Sequence, residues 1–95
     1  MSFWIEKVLK TLNRKAEILF GEHAAKDKNL TIQDVDYVIT TIQIGKVEEN
    51  KCTEENKRIC FKNYYKEIGE TYFVVTQAYP DYIKVVTVMK KRGKY

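Results

Sequence analysis

The sequence predicts an α+β domain in which two N-terminal helices pack on a four-stranded antiparallel β-meander, a two-layer arrangement. Three observations predict this class. Apolar residues recur every three or four positions in two segments before Gly45, and the chain after Gly45 is rich in Val, Ile, Tyr, Phe and Thr. The links between the later segments are short, as antiparallel neighbours require. With 95 residues, the chain (1–95) is expected to form a single domain around one modest core.

The first helix is predicted over residues 3–20. Ser2 is its candidate N-cap, and Gly21 is a natural end. Its apolar positions have helical spacing: Trp4, Ile5, Val8, Leu9, Leu12, Ala16 and Leu19. Residues 18–20 also have a second interpretation, in which they leave the helix as a short strand.

The second helix is predicted from Ile32 to Ile44. Thr31 and Asp34 have the spacing of a capping box, with Asp in place of the more usual Glu. Gly45 is expected to end the helix. The predicted buried stripe consists of five residues: Ile32, Val35, Val38, Ile39 and Ile42.

Four strands are predicted over residues 46–52, 57–65, 71–79 and 82–90, the first being the weakest. The register between the second and third strands stays open by one residue, so Phe61 shares the core either with Val74 or with Val75. Strict alternation places four residues of the last strand on one face: Ile83, Val85, Thr87 and Met89.

Two cysteines, Cys52 and Cys60, are equally far from Asn56 and are expected to face each other across a hairpin. A disulfide is geometrically possible there, and free thiols are the default in the cytoplasm. With a single histidine in the chain, no zinc site is predicted. The sequence has no phosphate-binding glycine loop, so no cofactor is predicted.

The charge and the N-terminal sequence bear on partners and location. The net charge of +4 favours polyanionic partners such as nucleic acid or an acidic protein, and a solvated lysine-rich surface is the alternative. The segment MSFWIEKVLK has neither a basic region nor an unbroken apolar stretch of the kind found in signal peptides. The protein is therefore expected in the cytoplasm, without membrane association.

The element order and two short motifs resemble the RelE/ParE-like toxin superfamily, in particular a branch with an early "HA" and a late "I-T-V". The motifs are Glu22-His23-Ala24-Ala25 and Val85-Val86-Thr87-Val88, and the resemblance spans about residues 18–91. It implies helices on a curved antiparallel sheet and a toxin-type endoribonuclease that acts on mRNA or the ribosome, with an acidic antitoxin as partner. The family's arginines after "HA" are replaced here by Lys26 and Lys28, and lysine lacks the bidentate grip of arginine.

Candidate site residues follow from the chemistry of RNA cleavage, which needs an acid or base and cations. His23 is the candidate acid or base, with Arg58 as a catalytic cation beside it. The alternative for His23 is a structural histidine that hydrogen-bonds a carbonyl at a helix junction. Candidate nucleic-acid contacts are Lys26, Lys28, Lys62, Lys84, Lys90 and Arg92. For the C-terminal cations, a fraying, solubilising tail is the alternative.

The sequence is compatible with two other functions. A non-catalytic module on the same fold could form a homodimer and bind nucleic acid or protein. Its tyrosines could stack on bases or simply pack: Tyr64, Tyr65, Tyr72, Tyr79, Tyr82 and Tyr95. A small structural or accessory protein without a ligand is the third interpretation.

Overall fold

A computed structural model describes residues 1–26 and 30–95 of the chain. Three α-helices are present in the described residues: α1 (Phe3–Thr11), α2 (Glu22–Ala25) and α3 (Ile32–Ile44). The strands are β1 (Glu17–Phe20), β2 (Lys46–Val47), β3 (Arg58–Tyr65), β4 (Glu70–Ala78) and β5 (Tyr82–Arg92), and a 3-10 turn spans Glu49–Lys51. The molecule is a small α+β domain.

The five strands form one mixed sheet in the order β1-β5-β4-β3-β2. β1 runs parallel to β5, with Ile18 opposite Ile83, and the other three pairs are antiparallel. The prediction of two helices on a four-stranded antiparallel meander is therefore wrong. It missed an edge strand that comes from the N-terminal third of the chain and closes onto the last strand.

The first helix ends at Thr11 rather than near residue 20. Leu12 already has an extended backbone (φ −76°, ψ 123°), and the Asn13 side-chain oxygen accepts a hydrogen bond from the Lys15 backbone N–H at 3.0 Å. This turn redirects the chain into β1, in which exposed and half-buried residues alternate. The interpretation of residues 18–20 as a short strand is confirmed, and it excludes the longer helix.

The predicted boundaries and caps of α3 are confirmed. The Thr31 N–H donates to the Asp34 carboxylate at 2.6 Å, and the Asp34 N–H donates to the Thr31 hydroxyl at 3.3 Å, which completes the capping box. Gly45 follows as the C-cap. Val38 and Ile42 are fully buried, but Ile32 is 89% exposed, so its place in the buried stripe was wrong. In the described part of the chain, no helix is long and apolar enough to cross a membrane.

The sheet register resolves the open choice in favour of Val74, which lies opposite Phe61 in the core. Along β5 the predicted alternation fails after Val85. Thr76 pairs with Val85 and Val75 pairs with Thr87, so a β-bulge leaves Val86 between them. The extra residue reverses the alternation, and Val88 rather than Thr87 packs against the core.

The predicted strand over residues 46–52 is mostly wrong, since β2 has only two residues and a 3-10 turn follows. Thr53 pairs with Arg58, so the two cysteines are offset by one position from direct opposition. The Cys60 N–H donates to the Cys52 sulfur at 3.3 Å, and both thiols are free.

Candidate functional site

The candidate functional site is a cleft of about 750 Å³ between α2 and the sheet. Arg58 and Lys84 each stand next to a core residue in their strand, so alternation places both on the sheet face that points away from the core. Both are register partners of Gln77 on β4, the strand between them. The lining residues are Gly21, Glu22, His23, Lys26, Arg58, Lys84 and Val86.

Gly21 holds α2 against β5 at this cleft. Its N–H donates to the Val85 carbonyl at 2.8 Å. A Cβ at this position would lie 2.7 Å from the Lys84 Cε and 3.0 Å from the Val85 oxygen. A side chain here would crowd the Val85 carbonyl and displace the end of the Lys84 side chain, so glycine suits the close approach of the two segments. This contact brings the helix residues next to Lys84.

The short helix α2 contributes His23 and two charged residues to the cleft. Lys26 forms an ion pair with Glu22 at 2.7 Å, and both side chains are largely exposed. Such exposed pairs contribute little free energy, so Lys26 can turn towards an anionic ligand at small cost. Lys26, Arg58 and Lys84 face one carboxylate among the lining residues. The cleft is cationic.

Arg58 carries the most informative polar atom of the cleft. Its Nε is buried and has no hydrogen-bond partner among the described residues. A buried donor without a partner costs about 1–3 kcal/mol. Because this nitrogen is shielded from solvent, a ligand oxygen would recover that cost only if the Arg58 side chain turned towards the cleft. The guanidinium favours a negatively charged acceptor.

Val86 lines the cleft next to the β-bulge. Alternation from the core residue Val85 already places Val86 on the same face as Lys84, and the bulge reverses the alternation only for the residues that follow. Sequence reasoning predicted this alternation but did not select Val86 as a site residue, because an aliphatic side chain carries no chemical signal. It also missed Glu22, although that residue adjoins His23.

Four of the predicted site residues line this cleft: His23, Lys26, Arg58 and Lys84. Lys28 lies outside the described residues. The three other predicted cations do not line the cleft: Lys62, Lys90 and Arg92.

Of these three, Lys62 pairs with Glu48 at 2.9 Å. Lys90 pairs with Asp34 at 3.4 Å on the helix side of the sheet. Arg92 is exposed at the end of β5. These cations do not contribute to the cleft at His23.

A second polar cluster surrounds Asp34, which is only 5% exposed. Burial by itself would raise the pKa of Asp34. Hydrogen bonds from Tyr72 and Thr31, together with the charge of Lys90, outweigh burial and leave the pKa below its ordinary value. The pKa of Tyr72 is raised by burial and by its hydrogen bond to the Asp34 carboxylate. Because Asp34 also caps α3, this cluster supports the fold.

For two of the six tyrosines, the packing alternative is confirmed. Tyr65 and Tyr72 are buried, and their ring centres lie 4.5 and 5.3 Å from that of Tyr37 on α3. The Tyr65 hydroxyl is 2.8 Å from the Thr41 hydroxyl. These contacts fasten α3 to the sheet, so neither ring is available for stacking on a ligand.

Comparison with known proteins decides the family. The sequence model described as "Family 4 glycosyl hydrolase" matches residues 4–87. The chain belongs to this family. No curated protein and no solved structure matched the sequence.

Membership of the family 4 glycosyl hydrolases overturns the resemblance to RelE/ParE-like toxins. That resemblance depended on element order and two motifs of four residues, whereas the family match extends over most of the chain. The toxin and endoribonuclease function inferred from it was therefore wrong. The fold assumed for the alternative, a nucleic-acid- or protein-binding module, is wrong as well, and the partners predicted for that module stay predictions.

Family 4 glycoside hydrolases depend on NAD, so the chain's fit to a dinucleotide can be tested. Dinucleotide-binding folds hold the pyrophosphate at a glycine-rich turn between a strand and a helix. The turn between β1 and α2 has one glycine, Gly21, and His23 stands where the second glycine of that motif would be. Lys84 and Val85 fill the space beside Gly21. The described residues do not fit a dinucleotide, and we assign no step to one.

The described residues also contain no group of three or more His, Cys, Asp or Glu side chains placed to hold a metal ion.

Proposed function

We propose that the chain has a glycosidase-related function and binds a negatively charged glycoside in the cleft at His23. Family membership supports a carbohydrate ligand. The observation that carries the proposal is that Lys26, Arg58 and Lys84 line one cleft, where the buried Arg58 Nε has no partner among the described residues. Three cations converge there on one carboxylate, and an uncharged sugar would leave Arg58 and Lys84 without a counter-charge from the described lining residues.

The three cations would bind an anionic group in different ways. Arg58 can donate two parallel hydrogen bonds to a carboxylate or phosphate group. Lys26 and Lys84 act as mobile point charges and neutralise the remaining charge. His23 provides a ring that can hydrogen-bond a sugar hydroxyl.

Binding is the part of glycosidase action that the cleft supports best. Most glycosidases use two carboxyl groups, one on each side of the scissile bond. Among the described lining residues Glu22 is the only carboxylate, and it is paired with Lys26. We therefore assign recognition of the anionic glycoside, and not hydrolysis through a carboxylate pair, to this cleft.

Calorimetric titration tests the proposal with glucose 6-phosphate, glucuronate and glucose as ligands. The two charged sugars should bind at least tenfold more tightly than glucose. Arg58→Gln and Lys84→Gln should each weaken binding about tenfold, equivalent to about 1.4 kcal/mol. Lys7→Gln is the matched control, since it removes the same charge from the exposed face of α1.

Two outcomes would refute the proposal. One is equal affinity for glucose and the charged sugars. The other is unchanged affinity in both cleft variants while circular dichroism shows that they are folded.

A further inference from the structure

A second cleft, of about 530 Å³, lies where the β4–β5 hairpin meets the link after α1. It shares no lining residue with the cleft at His23. Its lining residues are Thr11, Leu12, Asn13, Ala16, Ala78, Tyr79, Pro80, Asp81 and Ile83. We propose that this hairpin cleft binds an uncharged sugar.

The aromatic surface of the hairpin cleft is Tyr79. Its ring stacks on Tyr82, with the ring centres 4.8 Å apart and the planes 13° apart. The Tyr79 N–H donates to the Tyr82 carbonyl at 2.9 Å, which closes the turn. These contacts hold the exposed ring in place, so a ligand need not order it on binding. The C–H face of a sugar ring packs well on such an aromatic surface.

The polar groups of the hairpin cleft suit hydroxyl groups. The Asn13 side-chain oxygen is occupied by the Lys15 N–H at 3.0 Å, which leaves the amide NH₂ as a donor. In the described part of the chain, the Asp81 carboxylate has neither an ion-pair nor a hydrogen-bond partner. Neighbouring sugar hydroxyls both donate and accept, so they can satisfy the amide and the carboxylate together.

The charge of its lining residues distinguishes this site from the cleft at His23. The described lining residues include no lysine or arginine, and Asp81 repels a phosphate or carboxylate ligand. The remaining walls are largely apolar: Leu12, Ala16, Ala78, Pro80 and Ile83. A few oriented polar groups among apolar walls are typical of sites for small neutral ligands. A cationic ligand would gain from Asp81 but would leave the amide donor of Asn13 unused.

Backbone ¹⁵N NMR titration with maltose, cellobiose and choline tests this inference. We expect saturable shifts with a sugar at residues 11–16 and 78–83, with a millimolar dissociation constant. Tyr79→Ala and Asp81→Asn should each weaken sugar binding at least tenfold. Tyr95→Ala is the control, because it removes an exposed tyrosine far along the chain from the cleft.

Three results would overturn the inference. They are the absence of saturable shifts with either sugar, shifts confined to residues 21–26 and 84–86, and stronger binding of choline than of both sugars. Arg58→Gln distinguishes the two proposals, because loss of the site at His23 should leave maltose or cellobiose binding at the hairpin unchanged.

Discussion

The Arg14 guanidinium lies 4.4 Å from the centre of the Phe61 ring. Its Nε donates to the Ile42 carbonyl at 2.7 Å, and its Nη2 donates to the Gly45 carbonyl at 2.5 Å. One side chain thus joins the link after α1 to the C-terminal end of α3 and to β3. Burial lowers the pKa of Arg14, but a guanidinium titrates so high that it stays protonated at neutral pH.

We therefore predict that Arg14→Ala lowers the free energy of unfolding by about 2–4 kcal/mol. The change removes a cation–π contact and leaves two carbonyls at the end of α3 without their donors. Urea unfolding measures the effect. Lys15→Ala, at the exposed neighbouring position, should change stability by less than about 0.5 kcal/mol. Similar losses in the two variants would contradict the assigned role of Arg14.

Asp34 should make the stability of the fold depend on acid pH. Because its pKa is lower in the folded protein, the carboxylate stabilises the fold at pH values above its ordinary pKa. That contribution is lost as the pH falls through the lowered folded value. Asp34→Asn should therefore flatten the fall in stability below about pH 4 and cost about 2–3 kcal/mol at pH 7.

Chemical unfolding at a series of pH values tests the role of Asp34. Asp36→Asn is the matched control on the exposed side of the same helix. It should leave the acid dependence close to that of the wild type. If both variants show the wild-type acid dependence, the carboxylate at position 34 does not carry the effect.

Gly45 and Gly69 should resist substitution for different reasons. A Cβ on Gly45 would collide with the Thr41 carbonyl and would lie 2.6 Å from the Lys62 carbonyl oxygen. A Cβ on Gly69 would have no neighbour within 4 Å, but that residue has a φ of +65°. Gly45→Ala should cost about 2–3 kcal/mol, and Gly69→Ala about 1 kcal/mol.

Substitution by asparagine distinguishes crowding at Gly45 from backbone strain at Gly69, because asparagine tolerates a positive φ but has a larger side chain than alanine. Gly69→Asn should recover most of the stability lost in Gly69→Ala, as measured by thermal unfolding. Gly45→Asn should be at least as unstable as Gly45→Ala. Recovery at position 45 would show that crowding is not the constraint there.

The two thiols should differ in reactivity. Burial raises the pKa of the Cys60 thiol to about 12. It also raises the pKa of Cys52, which is only partly buried. Since the thiolate is the reactive form, both should alkylate slowly at pH 8, and Cys60 only after unfolding. Mass spectrometry of iodoacetamide-treated native protein should find the label on Cys52 first. Early labelling of Cys60 would contradict its placement in the core.

Local signals were sufficient for α3, because Thr31, Asp34 and Gly45 stand at its own ends. For β1 they left helix and strand open, since the helical spacing of apolar residues in α1 continues through Ala16 and Leu19. What makes residues 17–20 a strand is their pairing with β5, near the other end of the chain. No window of neighbouring residues contains that information.

The candidate site was likewise predictable from the sequence only in part. Sequence chemistry selected His23, Arg58 and Lys84, and the fold brings them into one cleft. It also selected Lys62 and Lys90, whose carboxylate partners are distant in sequence. The bulge next to Val86, which reverses the alternation of the residues after it, depends on the pairing of β4 with β5. The toxin function failed because a motif of four residues matches many unrelated proteins.

The pairing of Glu17 with Tyr82 has a consequence for biosynthesis. A parallel contact between such distant residues closes a large loop, which is entropically slow to form. On the ribosome, β1 has no partner until β5 has emerged from the exit tunnel. The Gly21 contact with Val85 waits for the same event, so the cleft at His23 cannot form before β5 has left the tunnel.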